Sequence, residues 1–382
     1  MISFPTCATW AIAAAFALLL AGPAAAQIRI GQTTGLTGPV AVAVSEINIG
    51  AKLYLDSVNN EGGVGGQRIE LTSLDDKNQV PLAEENAKKL IADPRTMALF
   101  LTRGTPHAEA MLPLLAEGLI VLLAPSTGAM SLHKPVNPWV FNVRTPYQVE
   151  AERVVRHFGL AGLDKVALCV VDDSFGADAL EGALKVFKEA NTLPVVNQTI
   201  DKFKPDYRGC AQKSVAANAL GVLIVGTPVS VAAGVNALRT SGSQAIVATL
   251  SNNASSGFVK ELGKNAEGVI VSQVFPSERS LATPMIAEAS RLAAAKDIKQ
   301  LTPAMVEGFA AAKVLVAGLK RAADANKGVV TRAGFKRALE SFNRVDIGGG
   351  LGGRELSYSP TDHTGLDYVD LSRINAEGLF RR

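Results

Sequence analysis

The 382-residue chain predicts an α/β fold of two doubly wound lobes. Three observations predict it. Short apolar runs alternate with helix-period segments along almost the whole sequence. The runs are nearly continuous in apolar residues, as parallel strands covered on both faces are. The alternation pauses near Pro146 and starts again, in a chain long enough for two domains. At 48% hydrophobic and 19% charged residues, there is apolar material for two large cores.

The first series places strands at 28–32, 68–74, 98–102 and 119–123, with helices at about 46–60, 81–93 and 106–117 between them. In the first helix Ile47, Ala51, Leu55 and Val58 recur on one face. Gly62-Gly63-Val64-Gly65-Gly66 follows that helix and precedes a strand, so it reads as a turn. The second series runs helix 148–158, strand 165–171, helix 177–190, strand 194–200, helix 207–219 and strand 220–225. Helix 230–241, strand 245–249, a short helix at 256–262 and strand 268–273 complete it.

Beyond Val274 the pattern is mostly helical, at 283–296, 303–323 and 332–342. Pro284 suits a first helical turn, and Thr302-Pro303 supplies an N-cap followed by an N1 proline. A Gly-rich stretch, 348–353, then leads to a tail with strand signals at 367–375. These helices most simply return to the first lobe and complete it. The chain would then cross between lobes several times through short segments.

The N-terminus reads as an export signal. An apolar run at 11–22 is followed by Pro23 and by Ala24-Ala25-Ala26, a small-residue cleavage pattern. The run is too short to span a bilayer as a helix. Its leader carries no Lys or Arg, which departs from the usual pattern. No Cys follows the run, so a lipoprotein anchor is not expected at this end. Cys169 lies in an apolar strand and Cys210 near a helix start. They form either a disulfide, which an oxidising compartment permits, or two small buried hydrophobes.

The formal net charge is +3, with basic residues scattered and only 5% aromatics, which argues against nucleic-acid binding. The motifs G-x-x-x-x-G-K-[ST], G-x-S-x-G, H-E-x-x-H and C-x-x-C are absent, and the four histidines are dispersed. Neither an enzyme, a cofactor nor a metal is expected.

In open α/β sheets, ligands bind beyond the carboxyl ends of the strands. In the first lobe these positions are 33–39, Asp75-Asp76, 103–106 and 124–128; in the second they are 172–175, 226–228 and 250–253. Arg103-Gly104-Thr105-Pro106 stands out. Thr105 is placed to cap the helix while Gly104 exposes backbone N–H groups, and a helix N-terminus favours a carboxylate. Ala124, Ser126 and Thr127 bring two hydroxyls beside it. The functional reading is a pocket for a small acid; the bland one is ordinary loop capping. Arg103 either neutralises a ligand carboxylate or snorkels to solvent. Asp172 and Asp173 either hold a ligand ammonium or cap the next helix, with capping favoured, and Asp75-Asp76 read as structural. Phe175 is either an aromatic wall or core.

At this point the chain resembles a known family. Gly35-Leu36-Thr37-Gly38-Pro39, Gly50-Ala51-Lys52-Leu53, 58–66 and Leu74-Asp75-Asp76 carry the resemblance, with Phe141-Asn142-Val143-Arg144, 172–176 and 203–207. These are similar to the periplasmic substrate-binding proteins of branched-chain amino-acid (Leu/Ile/Val) ABC transporters, with the type I periplasmic-binding fold. The resemblance implies two Rossmann-like lobes joined by a three-crossover hinge. Residues 27–143 with 277–353 would form one lobe and 147–274 with 357–382 the other, after a signal peptide at 1–26. It implies a monomer in the periplasm that closes on a small ligand, an amino acid or organic acid, and delivers it to an integral-membrane ABC permease. A sensory protein presenting its ligand to a membrane receptor is the alternative.

Carried over residue by residue, the family's carboxylate-binding loops fall on Gly104, Thr105, Ala124, Ser126 and Thr127. Ligand-flanking aromatic positions fall on Ala43, Phe175 and Thr227. The acid that holds the α-ammonium falls near Ser251 or Asn252. The departures matter: neither Ala43 nor Thr227 is the tyrosine the family pattern leads one to expect, and no acid stands at Ser251 or Asn252. A buried ammonium without a counter-charge is costly, so a carboxylate lacking an α-amino group is expected.

Overall fold

The computed structural model describes residues 27–349 and 355–382. The export signal read into residues 1–26 and the end of the Gly-rich stretch lie outside the described residues. The first sheet contains β1 (Ile28–Thr34), β2 (Ile69–Asp75), β3 (Thr96–Phe100), β4 (Val121–Leu123) and β5 (Val140–Phe141). They lie in the order β2-β1-β3-β4-β5, all parallel. The second series forms β6 (Val166–Val171), β7 (Val196–Ile200), β8 (Gly221–Val225), β9 (Ile246–Thr249) and β10 (Ile270–Gln273). A two-stranded ribbon, β11 (Val345–Asp346) with β12 (Glu355–Leu356), precedes β13 (Asp370–Ile374) and β14 (Phe380–Arg381). The second sheet runs β14-β13-β10-β9-β8-β6-β7, with only the β13 and β14 pairings antiparallel.

Each sheet therefore starts in its interior and reverses direction once, between β1 and β3 and between β6 and β8. Such a reversal leaves a crevice at the strands' carboxyl ends, where neighbouring connections diverge to opposite faces. Every residue of β6 and β8 is buried, which is why their sequences, VALCVV and GVLIV, are unbroken apolar runs.

The helices Pro284–Ala294, Pro303–Asp324 and Arg332–Glu340 pack into the core of the first sheet, where Phe309, Leu315 and Phe335 join Ile30, Phe100 and Leu123. The Ala41–Asn60 helix and the Pro303–Asp324 helix meet backbone to backbone. A Cβ on Gly50 would lie 1.8 Å from the Met305 carbonyl oxygen, and one on Gly308 1.8 Å from that of Ile47. Pro284 opens its helix, and the Thr302 hydroxyl accepts from the Met305 N–H ahead of Pro303, as the sequence signals predict.

Three differences have local causes. The first helix starts at Ala41 rather than near residue 46, because Val40 precedes it without a side-chain cap and so leaves no polar start signal. The fourth strand starts at Val121 because Leu119 is exposed and takes a left-handed φ of 48°. Strands β5, β11, β12 and β14 hold two residues each, too few to show a period.

Three segments cross between the sheets: after β5, after β10, and between β12 and β13. The first and third run side by side. Asn142 N–H donates to the His363 carbonyl at 2.9 Å, Leu366 N–H to Val143 at 3.1 Å, and the Thr145 hydroxyl to Tyr368 at 2.7 Å. In the second sheet Cys169 on β6 is bonded to Cys210 on the Arg208–Ala216 helix, which resolves the two cysteine readings in favour of the disulfide. Among the described residues, no helix is long and apolar enough to cross a membrane.

Candidate ligand cleft

A cavity of about 820 Å³ lies between the carboxyl ends of the two sheets. The loops after β2 and β3 contribute Lys77, Asn78 and Arg103 to His107, and the loop after β4 contributes Ser126. From the other side come Asp173, Phe175, Lys202, Phe203, Thr227, Val229 and Asn252, with Tyr147 from the end of the first crossover. The charged lining is three cations, Lys77, Arg103 and Lys202, against one carboxylate, Asp173.

That carboxylate is already engaged. Asp173 caps the Ser174–Glu189 helix, accepting from the Phe175 N–H at 3.1 Å and the Gly176 N–H at 3.2 Å, and lies 3.9 Å from the Lys202 ammonium. Burial raises its pKa, and those N–H groups and Lys202 oppose the rise. Capping is thus the observed use of Asp173. Asp75 and Asp76 serve structural roles as well. Asp75 accepts from Leu36, Thr37 and Lys77 backbone N–H groups, and buried Asp76 accepts from the Thr33 hydroxyl at 3.2 Å and from Asn78 N–H at 2.9 Å.

Arg103 reaches the cavity because a parallel bridge to Ser126 extends the β3–β4 pairing. Its side chain does not snorkel: the residue is 6% exposed. Nη2 donates to the Asn252 carbonyl oxygen at 2.7 Å and Nη1 reaches Ser126 Oγ at 3.5 Å. Neither partner is anionic; the Glu307 carboxylate acts on the guanidinium from behind Ser126, off the lining, and burial lowers the arginine's pKa while Glu307 opposes the shift. Gly104 follows with φ 105° as the N-cap of the Thr105–Glu117 helix. A Cβ there would lie 2.5 Å from His107 Nδ1, so both backbone shape and space call for glycine. Burial pushes His107 down to about 4, with the charges of Lys202 and Arg103 adding to the shift, so the ring is neutral at pH 7.

Behind Arg103 lies a second, fully buried guanidinium. Arg144 pairs with Glu150 at 2.9 Å and Glu307 at 3.5 Å and donates to the Ser251 hydroxyl. Glu150 also accepts from Ser251 N–H at 2.9 Å and from the Ser272 hydroxyl at 2.5 Å. Glu307 accepts a hydrogen bond from the Ser126 hydroxyl at 2.7 Å. Ser126 therefore presents lone pairs, not a donor, to the cavity. The Arg103 guanidinium and the N–H groups at the start of the Thr105–Glu117 helix remain as donors for an anion, with the Lys77 and Lys202 ammonium groups elsewhere on the lining.

Of the residues singled out in the sequence, Arg103, Gly104, Thr105, Ser126, Phe175, Thr227 and Asn252 line this cavity. Thr105 does not cap its helix; its hydroxyl lies 2.7 Å from that of Thr127, which is wholly buried behind it. Thr227 does cap, accepting from Ser230 N–H. Phe175 is both wall and core, packing on Tyr147 with ring centres 4.7 Å apart. Ala124, with a φ of 51°, Ser251 and Ala43 are buried off the lining. Sequence reasoning missed Tyr147, Lys202, Lys77 and His107. Tyr147 opens a helix after the crossover, and Lys202 follows an edge strand, places where nothing in the local pattern marks a ligand contact.

The chain belongs to the periplasmic binding protein family, matched over residues 27–378. Its fold is the type I fold of that family, a family of solute-binding proteins rather than enzymes. It is similar to Leu/Ile/Val-binding protein homolog 3 of Brucella melitensis, at 23% identity over 355 residues covering 92% of each chain. A substrate-binding periplasmic protein from Ralstonia solanacearum superposes with a TM-score of 0.84 at 27% identity, over 93% of this chain and 99% of that one. The structure of a branched chain amino acid ABC transporter from Thermus thermophilus with bound valine shares the fold, with a TM-score of 0.81 at 19% identity over 93% and 94% of the two chains.

Proposed function

We propose that this protein is the periplasmic solute-binding component of an ABC importer. Exported by a cleavable signal at 1–26, it captures a small carboxylate as a monomer and hands it to a membrane permease. The lobes that close on the ligand are residues 27–143 with 277–353 and 147–274 with 357–382. The observation that carries this reading is Arg103: a buried guanidinium facing a cleft between two sheets, beside a helix N-terminus, with no carboxylate bonded to it and its nearby anion, Glu307, off the lining behind Ser126. A ligand carboxylate supplies an anion on the cavity side. Contacts from both lobes make its binding favour closure. The relatives named for leucine, isoleucine and valine support a small acid as the ligand class.

The ligand differs from those amino acids in lacking an α-ammonium. The one carboxylate on the lining caps a helix, and Glu150 and Glu307 lie off the lining, Glu150 paired with Arg144 and Glu307 shared between Arg144 and the back of Arg103. Pro39, Val40, Phe175, Tyr147 and Val229 provide apolar walls, and the volume admits an aromatic or branched aliphatic acid. A thermal-shift screen over amino acids, aromatic acids, aliphatic acids and dicarboxylates tests this. A ligand at about 100 times its Kd adds roughly 2.7 kcal/mol of stability. No response to any acid overturns the carboxylate reading, and tight leucine binding overturns the absence of the ammonium.

A further inference from the structure

Tyr147 opens the Tyr147–Leu160 helix at the end of the first crossover and lines the cavity, although the residue is only 3% exposed. Its frame is fixed from three directions. The backbone N–H donates to the Gly128 carbonyl at 2.7 Å, the ring packs on Phe175, and the Arg144 guanidinium carbon lies 4.8 Å from the ring centre. The hydroxyl is what remains. Among the described residues it has no hydrogen-bond partner, yet its oxygen is not sealed in as the hydroxyls of Thr34 and Thr102 are. On a buried side chain that lines the cavity, the open space beside that oxygen is the cavity. A tyrosine hydroxyl at a buried site finds a partner, and here the ligand supplies it.

The neighbouring charges decide which end of the O–H the ligand meets. Burial holds the phenol's pKa above its usual value, against the pull of Arg144 and Arg103, so it keeps its proton at pH 7. Beside two cations a hydroxyl turns its oxygen toward them and its proton away. The proton is therefore offered to an anion. Arg103 and the phenol also act on each other, so the two groups serve one part of the cavity. Other polar side chains close to Arg103 have spent their donors, Ser126 on Glu307 and Asn252 Nδ2 on the Gly226 carbonyl.

We propose that Tyr147 is a ligand-binding residue whose hydroxyl donates to the same carboxylate that Arg103 holds. The inference rests on the carboxylate reading of Arg103. It gives the anion two donors of different origin. Arg103 follows a strand of the first sheet, whereas Tyr147 packs into the core of the second with Leu168 and Val225. A carboxylate bonded to both is clasped across the cleft.

The test is calorimetric titration of wild type and Tyr147→Phe with four carboxylates that differ in their tails: benzoate, 3-phenylpropanoate, 4-methylpentanoate and leucine. The substitution removes one oxygen and no protein hydrogen bond, so the melting temperature of the free protein is expected to be unchanged. Each carboxylate that binds wild type is expected to lose about tenfold or more in affinity, by a similar factor whatever its tail. Equal affinity in the two proteins, or a loss that varies from one binding carboxylate to the next, overturns the inference and leaves the carboxylate reading standing. If the variant does not fold, a crystal structure of wild type with the tightest of the four decides. A ligand carboxylate beyond hydrogen-bond reach of Tyr147 Oη overturns the inference, and one within reach upholds it. Failure of all four to bind wild type overturns both.

Discussion

The Glu46 carboxylate accepts hydrogen bonds from the Ser256 hydroxyl and, at 3.0 Å, from the Ser256 N–H. Glu46 belongs to the Ala41–Asn60 helix of the first lobe; Ser256 opens the Ser256–Leu262 helix packed on the second. Thr302 donates to the same carboxylate at 2.6 Å. A side-chain anion on one lobe thus sits at the positive end of a short helix on the other. Glu46→Ala removes this latch. Ligand affinity is expected to fall about tenfold, and small-angle scattering of the ligand-saturated variant is expected to show a larger radius of gyration. Unchanged affinity and radius would show that the contact does not hold the lobes together.

Two buried arginines should respond in opposite ways to truncation. Arg103→Leu breaks no direct ion pair, because its hydrogen-bond partners are a carbonyl and a hydroxyl. The melting temperature is expected to hold within a few degrees while carboxylate binding weakens by a hundredfold or more, on the order of 3 kcal/mol. Arg144→Leu strands Glu150 and Glu307 and is expected to cost about 3–5 kcal/mol of stability. Equal losses of stability in the two variants would contradict this division.

Asp76 gives a pH signature. Burial raises its pKa to about 6 in the folded protein, against about 3.9 for an unperturbed aspartate. A carboxyl raised on folding contributes stability fully below the unfolded value and loses it as pH rises through the folded one. Asp76→Asn does not titrate. Relative to wild type its stability should therefore climb between pH 4 and 6 and level off above, by about 3 kcal/mol in total. Urea titrations at several pH values read this difference directly, and a flat difference would remove Asp76 from the account.

The Cys169–Cys210 bridge closes a 41-residue separation within the second lobe. Loop-closure entropy assigns such a bridge about 4 kcal/mol. Replacing both cysteines with alanine is expected to lower the urea midpoint and leave the circular dichroism spectrum of the folded protein unchanged. A midpoint within error of wild type would show that the bridge is not a stabilising element.

Much of this architecture is legible in the sequence, for a physical reason. Buried parallel strands such as VALCVV have to be apolar on both faces, and helix starts such as Thr302-Pro303 carry their own signal. The loops at the strand ends follow from that order, which is how Arg103, Ser126, Phe175, Thr227 and Asn252 could be named in advance. What stayed hidden depends on direction. Asn252 and Ser251 are neighbours, yet one faces the cavity and the other turns to Arg144 and Glu150. Ser126 looks like a donor in the sequence, and only its bond to Glu307, far along the chain, shows that its proton is committed elsewhere.

The seam where Gly50 meets Met305 and Gly308 meets Ile47 also sets the timetable of folding. The first lobe opens the described chain, yet its core is incomplete until the Pro303–Asp324 helix has been made. As the chain emerges N-terminus first, that helix arrives more than 240 residues after the Ala41–Asn60 helix it must meet. Throughout that interval the earlier helix exposes the strip around Gly50 that its late partner will cover. The second lobe, whose parallel strands form one uninterrupted run of chain, can assemble most of its sheet while the first still waits.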